Sequence, residues 1–263
     1  MRQNWFRPVL GSIAGLAIAF AALSGARAGE PLCPPDPPLA ALSLPNLRAA
    51  LAAGQPAPIV ALGSSSTQGV MASGPEEAYP AELADALQMA LPGRRITVLN
   101  RGIGGEDVGR ESARLDRSVF AHHPQAVIWQ VGANAALHGA DPARFRRLVT
   151  AGVRRMQARG IDVVLMDNQR SPRLLASPED GVFDRLLAEV AQETGATLFS
   201  RDRLMRGWAR EGDPPAAFIA TDSLHHNDRG YACVARALAR RILDAIGVPV
   251  PPRIELLESQ ERK

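Results

Sequence analysis

A chain of 263 residues, 46% of them hydrophobic and 22% charged, is long and apolar enough to bury a sizeable core as a single domain. Its formal charge of +3 comes from Arg2, Arg7 and Arg27, in an opening segment without Asp or Glu, so the remainder is close to neutral. The other arginines punctuate helical patterns and form no basic arm, which excludes a nucleic-acid partner.

Residues 1–28 read as a secretory signal peptide. Arg2 and Arg7 precede a largely apolar run over 9–23, and Ala26-Arg27-Ala28 fits a small-x-small cleavage site before Gly29. The rival reading is a retained membrane anchor, but Gly11, Ser12 and Gly15 interrupt a run that is already short. The expectation is a secreted or periplasmic protein with no stable membrane insertion after cleavage. Residues 29–57 combine a proline-rich stretch with a short helix that Gly54-Gln55-Pro56 stops. Export would permit a disulfide between Cys33 and Cys233. Two separate thiols are the alternative, since sequence does not set their Cα separation.

Residues 58–248 read as the main domain, followed by a charged tail over 249–263. Apolar runs of strand type at 59–62, 96–99, 126–131, 161–166 and 196–199 alternate with helical patterns at 79–91, 113–120, 142–159, 181–193 and 231–246. In the 79–91 segment Leu83, Leu87 and Leu91 recur at four-residue intervals, which keeps them on one side. Strands separated by helices imply a mostly parallel five-stranded sheet in a three-layer α/β/α sandwich. In such sheets ligand groups gather beyond the C-terminal strand ends. Ser65, Gly105 and Asn134 all fall just past such ends.

The first strand runs into Gly63-Ser64-Ser65-Ser66-Thr67-Gln68-Gly69. A serine hydroxyl becomes a useful nucleophile when a histidine takes its proton and a third group orients that histidine. Asp222-Ser223-Leu224-His225 offers such an acid and base within one loop, ahead of the last helix. Taken alone, the serine run reads equally as a helix N-cap region, and Asp-x-x-His as a surface turn with a capping acid. The serine segment is not the Gly-x-Ser-x-Gly elbow of lipases, because Thr67 stands where the second glycine belongs. It is not a phosphate loop either, because the lysine is missing. His225 and His226 are adjacent and have no partners at ligand spacing, so no metal or cofactor is expected.

In this order the blocks resemble those of the SGNH hydrolases, the GDSL esterase/lipase family. The first block aligns on Gly63-Ser64-Ser65, the second on Asn100-Arg101-Gly102-Ile103-Gly104-Gly105, the third on Gly132-Ala133-Asn134-Ala135 and the fourth on Asp222-Ser223-Leu224-His225. The resemblance implies a flavodoxin-like SGNH fold, a catalytic triad of Ser65, His225 and Asp222, and an oxyanion hole from the N–H groups of Ser65 and Gly105 with the Asn134 side chain. It implies cleavage of carboxylic esters, with short acyl or acetyl groups favoured because no long apolar lid is evident. The expected partner is a small-molecule or glycan ester substrate. The alternatives are an extracellular polysaccharide O-acetyl esterase and a noncatalytic glycan-binding or structural protein on the same fold. Two positions depart from the family pattern: Ser64 and Ala135 stand where acids are usual.

Trp129 is expected in the core. Asn168-Gln169-Arg170 is expected as a solvated loop at the active rim, with contact between one of these residues and substrate as the alternative. Met205 and Trp208 either line a substrate pocket or pack locally, and His226 either faces solvent or supports its loop.

Overall fold

The computed structural model describes residues 33–251. The expected signal peptide and most of the tail lie outside the described residues. Five strands, β1 (Ala57–Gly63), β2 (Ile96–Gly102), β3 (Ala126–Gln130), β4 (Asp162–Met166) and β5 (Thr197–Phe199), form one sheet in the order β2-β1-β3-β4-β5. Every pairing in it is parallel. The chain order reverses between β1 and β3, which places the ligand crevice at the C-terminal ends of these two strands.

Side chains alternate across the sheet and divide the interior in two. Ile59 and Ala61 of β1, Ile128 of β3 and Val164 and Met166 of β4 face one core. The helices covering it are α1 (Pro45–Ala52), α3 (Tyr79–Ala90), α10 (Arg201–Arg210) and α11 (Asp228–Ile246). Val60, Leu62, Val127, Trp129, Val163 and Leu165 face the other core. It is covered by α4 (Val108–Ala113), α5 (Leu115–Ser118), α6 (Ala133–His138), α7 (Pro142–Gln157), α8 (Pro172–Leu175) and α9 (Val182–Thr194). The remaining helix, α2 (Ser65–Gln68), follows β1 directly. With both faces covered, strands buried throughout read as continuous apolar runs, as β3 and β4 do.

The sandwich and its five strands agree with the sequence reading, and several local details differ. The single helix expected over 113–120 is two pieces, separated at Arg114, whose φ of −107° and ψ of 11° leave the helical region. Helix α10 was not anticipated. Its sequence is rich in arginine, and of its buried residues, Arg201, Leu204, Met205, Gly207 and Trp208, only three are large and apolar. Met205 and Trp208 are core residues and Trp208 packs on Phe218, so local packing is their role.

Cys33 and Cys233 are joined by a disulfide with a Cα separation of 5.4 Å. It ties the proline-rich segment to α11, and Asp36 adds an ion pair with Arg240 at 2.7 Å. The bridge closes a loop spanning 200 residues of sequence separation. Cross-links across loops this long stabilise mainly by restricting the unfolded chain, typically by about 2–5 kcal/mol. A Cys33→Ser/Cys233→Ser variant should therefore show a lower urea midpoint corresponding to a loss in that range. An unchanged midpoint would mean that the bridge contributes nothing to stability.

Candidate active site

Strand β1 ends at Gly63 and the chain turns into α2, which puts Ser65 at the first helical position, half-buried at the sheet's C-terminal edge. The turn is held from β3. The Gln130 side-chain oxygen accepts from the Ser64 N–H at 3.1 Å, the Ser64 hydroxyl at 3.3 Å and the Thr67 hydroxyl at 3.2 Å. Gln130 is fully buried. One buried amide oxygen thus gathers three donors of the serine turn. Sequence reasoning missed Gln130. The available signal was a polar residue ending an otherwise apolar strand, two positions before Gly132.

Strand β2 presses on the same turn. A Cβ at Gly102 would lie 2.1 Å from the Gln68 nitrogen and 2.5 Å from the Thr67 carbonyl carbon. Both neighbours are backbone, so neither yields without moving α2. Gly102→Ala should cost roughly 1–3 kcal/mol of stability as overpacking. It should also lower any Ser65-dependent turnover by about 100-fold through displacement of that residue. Wild-type rates from a folded variant would show that the turn tolerates the shift.

His225 comes from the loop before α11. Its Nε2 lies 2.7 Å from Ser65 Oγ, and its Nδ1 lies 2.5 Å from Asp222 Oδ2. The other Asp222 oxygen accepts from the Leu224 and His225 N–H groups, each at 3.0 Å. Ser223 sits between them at a φ of +61°, which closes this tight turn. Burial opposes the charged form of Asp222, yet these hydrogen bonds, led by that from His225, hold its carboxyl below the usual carboxylate range. Asp222 is therefore an anion beside the imidazole at neutral pH.

The loop is braced on both sides. Gln169 Nε2 donates to the Leu224 carbonyl at 2.8 Å, and the Arg173 N–H donates to the Ser223 carbonyl at 3.1 Å. Asn168 and Gln169 are 6% and 2% exposed. This corrects the expected solvated loop: a side chain that must reach the Leu224 carbonyl is drawn inward. His226 is buried behind the loop and aims Nδ1 at the Phe218 carbonyl, 3.0 Å away. Burial, reinforced by the Arg201 cation, pushes its pKa down to about 3, so it is a neutral structural donor.

Two loops face Ser65 from the other side. The Gly104 N–H is used by Gln68 Oε1 at 2.7 Å. The N–H groups of Gly105 and Ser65 have no acceptor among the described residues. Gly105 has a φ of +75°, a conformation that a side chain disfavours. Asn134, on α6, donates one amide hydrogen to the Glu106 carbonyl at 2.7 Å, which leaves the second uncommitted. All five residues singled out from sequence thus lie at the same edge of the sheet: Ser65 and Asn134 on the short helices α2 and α6, and Gly105, Asp222 and His225 on loops. Ala135, where an acid was expected, is buried in the helix-covered core. No group of three or more His, Cys, Asp or Glu side chains among the described residues is placed to hold a metal ion. No helix among them is long and apolar enough to cross a membrane.

Comparison with known proteins agrees with this architecture. A two-domain esterase active on acetylated mannans superposes with a TM-score of 0.68 at 23% identity, covering 80% of this chain and 56% of that one. Axe2, an acetylxylan esterase from Geobacillus stearothermophilus, superposes with a TM-score of 0.59 at 21% identity, covering 73% and 95%. Among curated proteins, an arylesterase of Vibrio mimicus is 29% identical over 109 residues, 41% of this chain and 54% of that protein. A tetraacyldisaccharide 4'-kinase of Anaeromyxobacter sp. (strain K) is 31% identical over 249 residues, 87% of this chain and 58% of that protein. The chain thus spans little more than half the length of the curated relatives it matches. The family that fits residues 33–248 is described as non-GDSL and lipase-like. That description corrects the expected GDSL subtype, and Ser64 beside Ser65 is the residue at which the chain departs from the GDSL pattern. With its SGNH-hydrolase-like fold and a match over nearly all of its described residues, the chain belongs to the non-GDSL lipase-like family.

Proposed function

We propose that this protein is a serine esterase that removes O-acetyl groups from carbohydrate, with Ser65, His225 and Asp222 as its triad. The observation that carries the proposal is the unbroken contact from Ser65 Oγ to His225 Nε2 at 2.7 Å and from His225 Nδ1 to Asp222 at 2.5 Å. Ser65 Oγ attacks the ester carbonyl carbon as His225 Nε2 takes the hydroxyl proton. Asp222 stabilises the resulting imidazolium. The oxyanion is met by the Ser65 and Gly105 N–H groups and the free amide hydrogen of Asn134. Collapse expels the sugar hydroxyl, which receives the proton from His225. Water then attacks the acetyl-serine, His225 takes its proton, and acetate leaves as that proton returns to Ser65.

The acetylated glycan as substrate is supported by the fold shared with the mannan-active esterase and Axe2. A broader short-chain or aryl ester hydrolase is the second reading, favoured by the similarity to the Vibrio mimicus arylesterase. A kinase reading finds no support in the residues. Lys263 is the chain's single lysine, so the lysine that a phosphate loop needs is absent. We also propose export to an oxidising compartment, supported by the Cys33–Cys233 bridge.

Acetate release from acetylated manno- and xylo-oligosaccharides should be measured beside turnover of p-nitrophenyl esters of increasing chain length. The proposal expects acetate release from a glycan and falling rates on longer acyl chains. Turnover of simple esters with none of any acetylated glycan would leave the broader esterase. No turnover at all, and no labelling of Ser65 by a fluorophosphonate, would favour the noncatalytic alternative.

A further inference from the structure

We propose that Arg114 is a positioning residue for the oxyanion site, holding donors from three separate segments in one arrangement. This rests on the esterase reading above. Arg114 lies between α4 and α5 with its side chain 1% exposed. Its Nε donates to Glu106 Oε2 at 2.5 Å, and its Nη2 donates to the Gly63 carbonyl at 3.0 Å.

Each of these contacts leads to a different oxyanion donor. Gly63 is two residues before Ser65, and its carbonyl also accepts from the Ile103 N–H at 3.0 Å, at the start of the Gly105 loop. Glu106 follows Gly105 directly, so fixing its carboxylate fixes the end of the Gly105 turn, where φ is +75°. The Glu106 carbonyl accepts the Asn134 amide at 2.7 Å, so the same residue sets the direction of the third donor. Preorganised donors matter because they are already in place when charge develops on the substrate oxygen. A guanidinium is well suited to holding them, because it is planar, permanently charged and offers several N–H groups in fixed directions. Its charge is matched by the Glu106 carboxylate beside it, so the pair positions donors without placing a net cation next to the reacting carbonyl.

A purely structural ion pair would change stability and leave turnover of the folded protein alone. A double-mutant cycle in the full chain separates the two roles, with kcat and KM measured on p-nitrophenyl acetate. Arg114→Met should lower kcat by about 30–100-fold with KM within about threefold, the signature of a transition-state interaction. In an Asn134→Ala background the same substitution should cost less than about fivefold, because residues acting through one unit are not additive. Arg114→Lys, which keeps the charge and loses the fork, should recover only part of kcat. If Arg114→Met does not fold, Glu106→Gln carries the test, with a smaller fall in kcat and the same dependence on Asn134. The assignment is overturned if folded Arg114→Met or Glu106→Gln keeps kcat within about threefold of wild type, or if its loss is equal in both backgrounds. A wild type without Ser65-dependent turnover overturns the esterase reading and this assignment together. An active wild type with an indifferent Arg114 overturns the assignment alone.

Discussion

Replacing Ser65 with alanine is expected to lower turnover of p-nitrophenyl acetate by about 10⁴-fold or more, on the scale seen when triad members are removed from serine hydrolases. Folding should barely change. Ser65 Oγ is bonded to His225 Nε2, and the position begins a helix in which alanine is well tolerated, so stability should stay within about 0.5 kcal/mol of wild type. The adjacent hydroxyls do not offer a substitute. Ser66 is buried and accepts from Arg201 Nη1 at 3.3 Å, while Ser64 is buried against Gln130. His225→Ala should cost a similar amount, and the double variant little more than either single one, because in the proposed mechanism the pair acts as one proton-transfer unit. Additive losses, or substantial turnover in folded Ser65→Ala, would show that another group does the chemistry.

Asn134→Ala is expected to lower kcat by roughly 10²–10³-fold with little effect on KM, the usual cost of one side-chain oxyanion donor. In the proposed mechanism the ground-state carbonyl gains little from this amide and the developing oxyanion gains much, so the loss should fall on the chemical step. The substitution also frees the Glu106 carbonyl, a stability cost of about 1 kcal/mol that a urea midpoint would register. Folded Asn134→Ala with kcat within about threefold of wild type would remove Asn134 from the oxyanion site.

The parts of the site that were legible before the structure share a location. Ser65, Gly105 and Asn134 follow strand ends, and Asp222 and His225 share one short loop, so spacing along the chain already brought their chemistry close. The parts that were missed act across the fold. Gln130 reaches from β3 to the turn after β1, and Gln169 reaches from the end of β4 to the Leu224 carbonyl. Arg201 gave no outward sign of burial, yet its N–H and guanidinium are both bonded to Asp167 beneath the sheet edge. Its helix was hidden for the same reason, since an arginine that is paired and buried breaks the apolar periodicity by which helices are read.

By itself, the amino-acid sequence determined the alternation of strands and helices, the parallel sheet and the five residues that converge on one edge. These depend on side-chain periodicity and on short motifs, which are local properties. Only the tertiary structure decided that Cys33 meets Cys233, that Gln130 reaches the turn beside Ser65, and that Arg114 reaches both Glu106 and Gly63. Each of these joins segments far apart in the chain. The pairing of buried polar groups is set by which partners packing brings within hydrogen-bonding distance, and no local pattern encodes that distance.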